Sequence, residues 1–325
     1  MDKKSNDVVS GSEIDELLSS YEALLEYFAG LGVKDIASTK LQRIHSIIKE
    51  RGMDGSDYCR YLIEANRFKR VRGIIEDSEV NLSVNDLKKM LKGSEIAPFY
   101  SDESEDAFFE FDFAARLHKL TSFRTIDIGS KIDGTETDVI FNKETAIECK
   151  KVHSVKSFRR NFRTANKQIV TRIARDDSVK NGLIAFELTN VFDHQGFREI
   201  ARNTIPLFYE GYRKLGFGQE EALLKLAEDD KNFRGALQNI SCAILEFSFH
   251  SMFDGRSQDC KMDDDVMGVI YQAETYFSLD GEGHQIPISM RCATYLENES
   301  FKNRAGFEYI GSDVGAFMRS LAVGI

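Results

Sequence analysis

Asp138, Glu148 and Lys150 are the residues of this 325-residue chain whose types and spacing best suit joint chemistry. They lie in two β-favouring runs, Thr137-Asp138-Val139-Ile140-Phe141 and Thr145-Ala146-Ile147-Glu148-Cys149-Lys150, parted only by the polar turn Asn142-Lys143-Glu144. Strand side chains alternate faces at a rise of about 3.3 Å per residue, so Glu148 and Lys150 share a face and Cys149 takes the other. A tip this short lets Asp138 approach the same face. Two carboxylates and an ammonium suit Mg²⁺, a hard cation that prefers oxygen ligands and completes its shell with water and substrate phosphate. Mn²⁺ is expected to substitute for it. The chemistry implied is metal-assisted hydrolysis of a phosphodiester.

Acid-x-Lys spacing alone is cheap in a chain with 53 acidic residues, and four other triplets have it: Asp2-Lys3-Lys4, Asp86-Leu87-Lys88, Asp229-Asp230-Lys231 and Asp259-Cys260-Lys261. None of them ends an apolar, β-favouring run that follows a second such run bearing an aspartate. The plainer alternative is a solvated hairpin with charges on its outer face.

The elements around the hairpin follow from periodicity and turn residues. Ser104 to Leu120 predicts a helix with Ser104 as N-cap, and Phe123 to Ile128 predicts a strand before the hairpin. Ser157 to Arg175 predicts a second helix and Gly182 to Leu188 another strand. Upstream, Glu13 to Leu31, Ser38 to Arg51, Asp57 to Arg72 and Ser83 to Leu91 predict helices, with Lys92 to Asp106 as linker. Downstream, Gln195 to Leu215, Gln219 to Asp229 and Asp313 to Leu321 predict helices, and Ile240 to His250, Val266 to Leu279 and Ile286 to Leu296 predict strands that extend the sheet or form a subdomain. The domain division expected is a helical region over 1–95 and an α/β domain over 96–325.

With Asp138 followed by Glu148-Cys149-Lys150 in this order of elements, the chain resembles the PD-(D/E)xK nuclease superfamily over about residues 104 to 190. The resemblance implies a restriction-endonuclease-like αβββαβ core with a mixed sheet, here preceded by a helical region and followed by an α+β extension. It implies that Asp138 and Glu148 are metal ligands, joined by Glu110 of the first helix and the Cys149 backbone carbonyl, with Lys150 as the catalytic lysine. Gln168 falls on the helix where some subfamilies carry a glutamine near the site. Thr137 stands in place of the motif's nominal proline, a position widely varied in that superfamily.

Charge distribution points the same way. The chain is acidic, at −10, yet residues 150 to 175 hold nine of its 43 basic residues and none of its acids. Lys151, Lys156, Arg159, Arg160, Arg163 and Lys167 of this run are candidate phosphate contacts for a nucleic acid. Arg67 to Arg72 forms a weaker basic segment, Phe158 and Phe162 could stack on bases, and His153 suits a surface or capping role.

The expected substrate is DNA, with RNA open, in a setting of restriction, phage defence or repair. A non-cleaving nucleic-acid-binding module and a ribonuclease are the competing readings. A homodimer or a larger defence complex would be compatible assemblies. Five cysteines without CxxC or zinc spacing predict free thiols in a reducing cytoplasm, with Cys149 packed inward. Neither a signal peptide nor an apolar run near the ~20 residues of a membrane helix is read, so no membrane partner is expected. A Walker A motif is lacking, and the Gly30-Leu31-Gly32 and Gly216-Phe217-Gly218 pairs lack the rest of a dinucleotide fingerprint.

Overall fold

The computed structural model describes residues 11–50, 84–92, 103–120, 125–132, 135–214, 230–253, 260–281 and 284–302, together with positions 61, 64, 65, 68, 80, 81 and 318. The predicted helix over Gln219 to Asp229 lies outside these, as do most of those over Asp57 to Arg72 and Asp313 to Leu321, and the basic segment Arg67 to Arg72 apart from Phe68.

A seven-stranded mixed sheet organises the described residues, and its strands stand in chain order. They are β1 (Val80–Asn81), β2 (Ile126–Ile132), β3 (Thr135–Phe141), β4 (Thr145–Lys151), β5 (Asn181–Glu187), β6 (Val266–Gly281) and β7 (His284–Glu297). β1 is parallel to β2, β2 to β4 form an antiparallel meander, β4, β5 and β6 run parallel, and β7 returns antiparallel along β6. The fold class is α/β. The downstream strands thus extend the sheet.

Alternation along the buried strands sends two apolar sets to opposite faces. One face carries Val139, Phe141, Ile147, Cys149, Leu183 and Ala185, covered by α4 (Glu103–Leu120) through Phe108, Phe111 and Leu117. Behind α4, the same core takes in α1 (Gly11–Gly30), α2 (Lys40–Glu50) and α3 (Val84–Met90). The other face carries Ile184, Phe186, Val269 and Tyr271 under α5 (Val155–Arg175), α6 (His194–Lys214) and α7 (Lys231–Met252). A short α8 (Glu299–Lys302) follows β7. Gly182 lets α5 lie close on this side: a Cβ there would collide with Ile169 Cγ2 and sit 3.0 Å from the Ala146 carbonyl oxygen.

Three sequence expectations are corrected. Ile240 to His250 is helical, within α7, because its buried residues recur at helical spacing (Leu237, Ser241, Leu245, Ser248, Phe249) and Asp230 caps the start, accepting from the amides of Asn232 at 2.7 Å and Phe233 at 2.9 Å. The density of Ile and Phe there imitates a strand. Ser104 is not an N-cap: α4 begins at Glu103, which also makes 103–106 helix rather than linker. The first meander strand starts at Ile126 and runs to Ile132, later than its apolar residues alone suggest.

Candidate active site

The β3–β4 hairpin closes through Asn142 and Lys143, both left-handed at φ 53° and 60°, with the Glu144 amide donating to the Phe141 carbonyl at 3.1 Å. From this tip the two strands stay paired through Phe141↔Thr145, Ile140↔Ala146 and Val139↔Ile147, and there their ladder ends. On the other side of β3, the ladder with β2 runs Ile128↔Val139 and resumes at Ser130↔Thr137, skipping Asp138 opposite Gly129, whose φ is 67°. Backbone pairing therefore lapses on both sides of Asp138. A strand glycine in the left-handed region is the local device for such a departure.

Side chains replace the missing ladder. Asp138 Oδ2 accepts from the Cys149 amide at 2.7 Å and from Lys150 Nζ at 3.0 Å, and Lys150 Nζ also donates to Glu148 Oε2 at 3.0 Å. The N–H and C=O of one strand residue leave on the same edge, so the Cys149 carbonyl also faces the gap between β3 and β4. Glu148 is fully buried, and its second oxygen, Oε1, is a buried acceptor without a hydrogen-bond partner. Burial, reinforced by the Asp138 charge, pushes the Glu148 carboxyl up to about 8 despite Lys150. Burial would lower the Lys150 ammonium, but Asp138 and Glu148 outweigh it and hold it above the ordinary lysine range.

Glu110 joins this group from α4. Burial pushes its carboxyl up to about 9, and its strongest charged neighbour is Asp138, with Lys150 and Asp106 also acting on it. Asp106, one turn earlier, is raised by burial and lies 3.6 Å from His153 Nε2, whose Nδ1 is 3.3 Å from Asn190 Nδ2. His153 is thus an exposed surface residue beside α4, and Ser154 is the N-cap of α5.

Gln168 lies on α5, which runs back over β4. Asn161 Nδ2 donates to the Lys151 carbonyl at 3.2 Å, while Ile173 packs on Ile140 and Ala146. Two turns from Asn161, about 10 Å, correspond to about three strand residues, which brings Gln168 level with Glu148. Its Oε1 is likewise buried without a partner.

Comparison of the chain with family models, curated proteins and solved structures gave no match.

The basic run divides by burial. Lys156, Arg159, Arg160, Arg163 and Lys167 are exposed on α5, and Arg172 is buried against Asp176, at 3.1 Å. Lys151 is a correction: alternation turns it away from Lys150, under α4, where it is buried and lies 3.1 Å from Glu105 Oε2, so it cannot reach a phosphate. Phe158 and Phe162 are buried beneath α5 against Phe186, which removes them as base-stacking platforms. Cys149 is packed inward, its thiol pushed far up by burial, so it is no nucleophile.

Among the described residues, no group of three or more His, Cys, Asp or Glu is arranged to hold a metal ion as it stands. The ammonium of Lys150 stands between Asp138 and Glu148 as the local cation. The donor chemistry nevertheless fits a hard divalent cation: carboxylate oxygens, one of them buried without a partner, on groups whose ionisation burial and mutual repulsion oppose. Sequence reasoning missed the buried charges behind the site, Lys40, Glu64 and Glu105. A lysine or glutamate at a core-facing helical position was the available signal.

Proposed function

We propose that the chain is a Mg²⁺-dependent endonuclease of the PD-(D/E)xK type that hydrolyses phosphodiester bonds of DNA. The observation that carries this reading is the convergence of Asp138, Glu148, Lys150 and Glu110 where β3 and β4 part, beside the exposed basic face of α5. The order α4-β2-β3-β4-α5-β5, with β5 parallel to β4, agrees with the αβββαβ core of that superfamily. Restriction, phage defence or repair are the settings in which such an enzyme acts.

Asp138, Glu148, Glu110 and the Cys149 carbonyl are the groups that would hold the cation. The chemistry a divalent cation supplies in such a donor set is polarisation of the phosphate and activation of a water. Lys150, moored by Asp138 and Glu148, places a compact positive charge where the phosphate gains negative charge, and loss of one preorganised donor of this kind commonly costs about 3 to 4 kcal/mol of transition-state stabilisation. Lys156, Arg159, Arg160, Arg163 and Lys167 draw the polyanion along α5 toward the gap.

The test is incubation of purified protein with circular DNA, linear DNA and RNA, with Mg²⁺, Mn²⁺ or EDTA. Cleavage of DNA with either cation, abolished by EDTA and in Asp138→Asn and Lys150→Met, is expected. Salt-sensitive DNA binding without cleavage would leave a non-cleaving module on the same fold, and cleavage confined to RNA would make it a ribonuclease.

A further inference from the structure

Glu105 lies in the first turn of α4, fully inside the protein, with each carboxylate oxygen on a different lysine. Oε1 accepts from Lys40 Nζ of α2 at 2.6 Å, and Oε2 accepts from Lys151 Nζ, the last residue of β4, at 3.1 Å. Lys40 Nζ also lies 2.7 Å from Glu64 Oε1, and all four side chains are 1 % exposed. Two lysines and two glutamates make the group neutral in sum. Four segments far apart in sequence therefore meet through charge at the end of the strand that carries Glu148 and Lys150.

The other end of α4 is fastened in the same manner. Arg116 Nη2 donates to Gln272 Oε1, and Gln272 Nε2 donates to Glu187 Oε2 at 2.6 Å. Lys151, Glu187 and Gln272 occupy one row across β4, β5 and β6, in register. α4 is thus bonded to that row by a buried carboxylate near its start and a buried guanidinium near its end. Glu110 lies between the two.

Burying these ions has an unfavourable side. Each costs several kcal/mol of desolvation, and apolar residues of similar volume in such places are commonly neutral or stabilising, so stability alone does not account for the arrangement. What buried ion pairs can supply is a unique register. An apolar interface lets a helix settle in neighbouring registers, and one residue of slippage along α4 is about 1.5 Å of translation with about 100° of rotation, enough to take Glu110 away from Asp138.

We propose that Lys40, Glu105 and Lys151, with Arg116 and Gln272 at the far end, are positioning residues that fix the register of α4 on the sheet and so fix where Glu110 stands relative to the β3–β4 site. Through Lys40, the N-terminal helices take part in setting the geometry of the site. The catalytic consequence rests on the nuclease reading; the register itself does not.

The experiment uses the full chain carrying Lys40→Met, Glu105→Leu and Lys151→Met together, with Glu105→Gln as a second variant. The triple variant is expected to melt cooperatively, at a lower temperature than wild type because Glu64 stays buried without Lys40, to lose kcat on DNA by about tenfold or more, and to keep KM within about twofold, because misplacement of about 1 Å degrades the reacting geometry without touching the DNA surface. A folded triple variant with wild-type kcat overturns the proposal. Amide exchange gives a readout independent of cleavage: residues 106–114 of α4 are expected to exchange about tenfold faster or more in the variant, with β5 unchanged. Should the wild-type protein cleave nothing, the nuclease reading fails by itself and exchange decides the clamp, unchanged α4 protection overturning it. Should the triple variant not fold, Glu105→Gln is judged by the same two measurements, with the same results supporting or overturning the clamp.

Discussion

At the scale of single residues, the decisive group is Glu148, which has one oxygen on Lys150 and the other on no partner inside the protein. The folded chain holds its proton up to about 8, against an ordinary glutamate value of 4.5, so between those limits the native state binds a proton that the unfolded state releases. Stability must then fall as pH rises from about 4.5 to about 8. Glu110, raised to about 9, and Asp106, also raised, act in the same direction. Thermal melts in EDTA are expected to show Tm declining over this window, less steeply in Glu148→Gln, which keeps the shape and removes the titration. Saturating Mg²⁺ should flatten the wild-type decline, since a bound cation favours the ionised carboxylates. An identical slope in wild type and Glu148→Gln would show that Glu148 is ionised throughout.

At the scale of elements, α5 divides its two faces between core and substrate. Phe158, Phe162, Ala165 and Ile169 fix it on the sheet, while Lys156, Arg159, Arg160, Arg163 and Lys167 stay outside. Phosphate contacts carry no base information, so Arg159→Ala, Arg160→Ala, Arg163→Ala and Lys167→Ala combined should weaken binding to all DNA sequences alike. The slope of log K against log salt should fall by about 0.9 for each duplex contact removed, measurable by fluorescence anisotropy on two unrelated duplexes. An unchanged slope with α5 intact by circular dichroism would mean that DNA approaches from elsewhere. Elements of this kind are legible in sequence when one period dominates: the spacing of Phe158, Phe162 and Ile169 shows the helix, and the alternation about Ile147 shows the strand. α7 was not legible, because Ile240, Ile244, Phe247 and Phe249 satisfy strand and helix propensities alike and only packing separates them. Within the site, Asp138, Glu148 and Lys150 could be read from the hairpin, since pleating alone fixes their common face. Lys151 was misread because alternation gives its direction but not what covers that face. Gly129 opposite Asp138 carried no signal beyond an isolated glycine within a strand pattern.

At the scale of the whole molecule, the two faces of the sheet have different covers, and among the described residues only the face under α4 draws on the N-terminal helices. Tyr21, Leu24, Phe28, Leu41, Ile44 and Ile48 belong to the same continuous core as Phe108, Phe111, Val139 and Ile147. Phe68 packs edge-on against Phe108 at 5.2 Å between ring centroids, the Lys40 amide donates to the Leu91 carbonyl at 2.9 Å, and Lys40 Nζ completes the pairing of Glu105. A chain starting at residue 96 would expose the outer side of α4, with its buried phenylalanines, and leave the Glu105 and Lys151 pair without Lys40. Uncovering that much apolar surface is worth about 25 cal/mol per Å², and removing one partner from a buried charge group commonly costs about 3 to 5 kcal/mol, a large share of the roughly 5 to 15 kcal/mol that holds a domain folded. The truncated chain is therefore expected to lack a cooperative melt, to bind a hydrophobic dye and to cleave nothing, although Asp138, Glu148 and Lys150 are all present in it. Calorimetry and dye binding on the truncated and full chains check this. A cooperative transition in the truncated protein would show that residues 96–325 fold by themselves and that the helices only decorate α4.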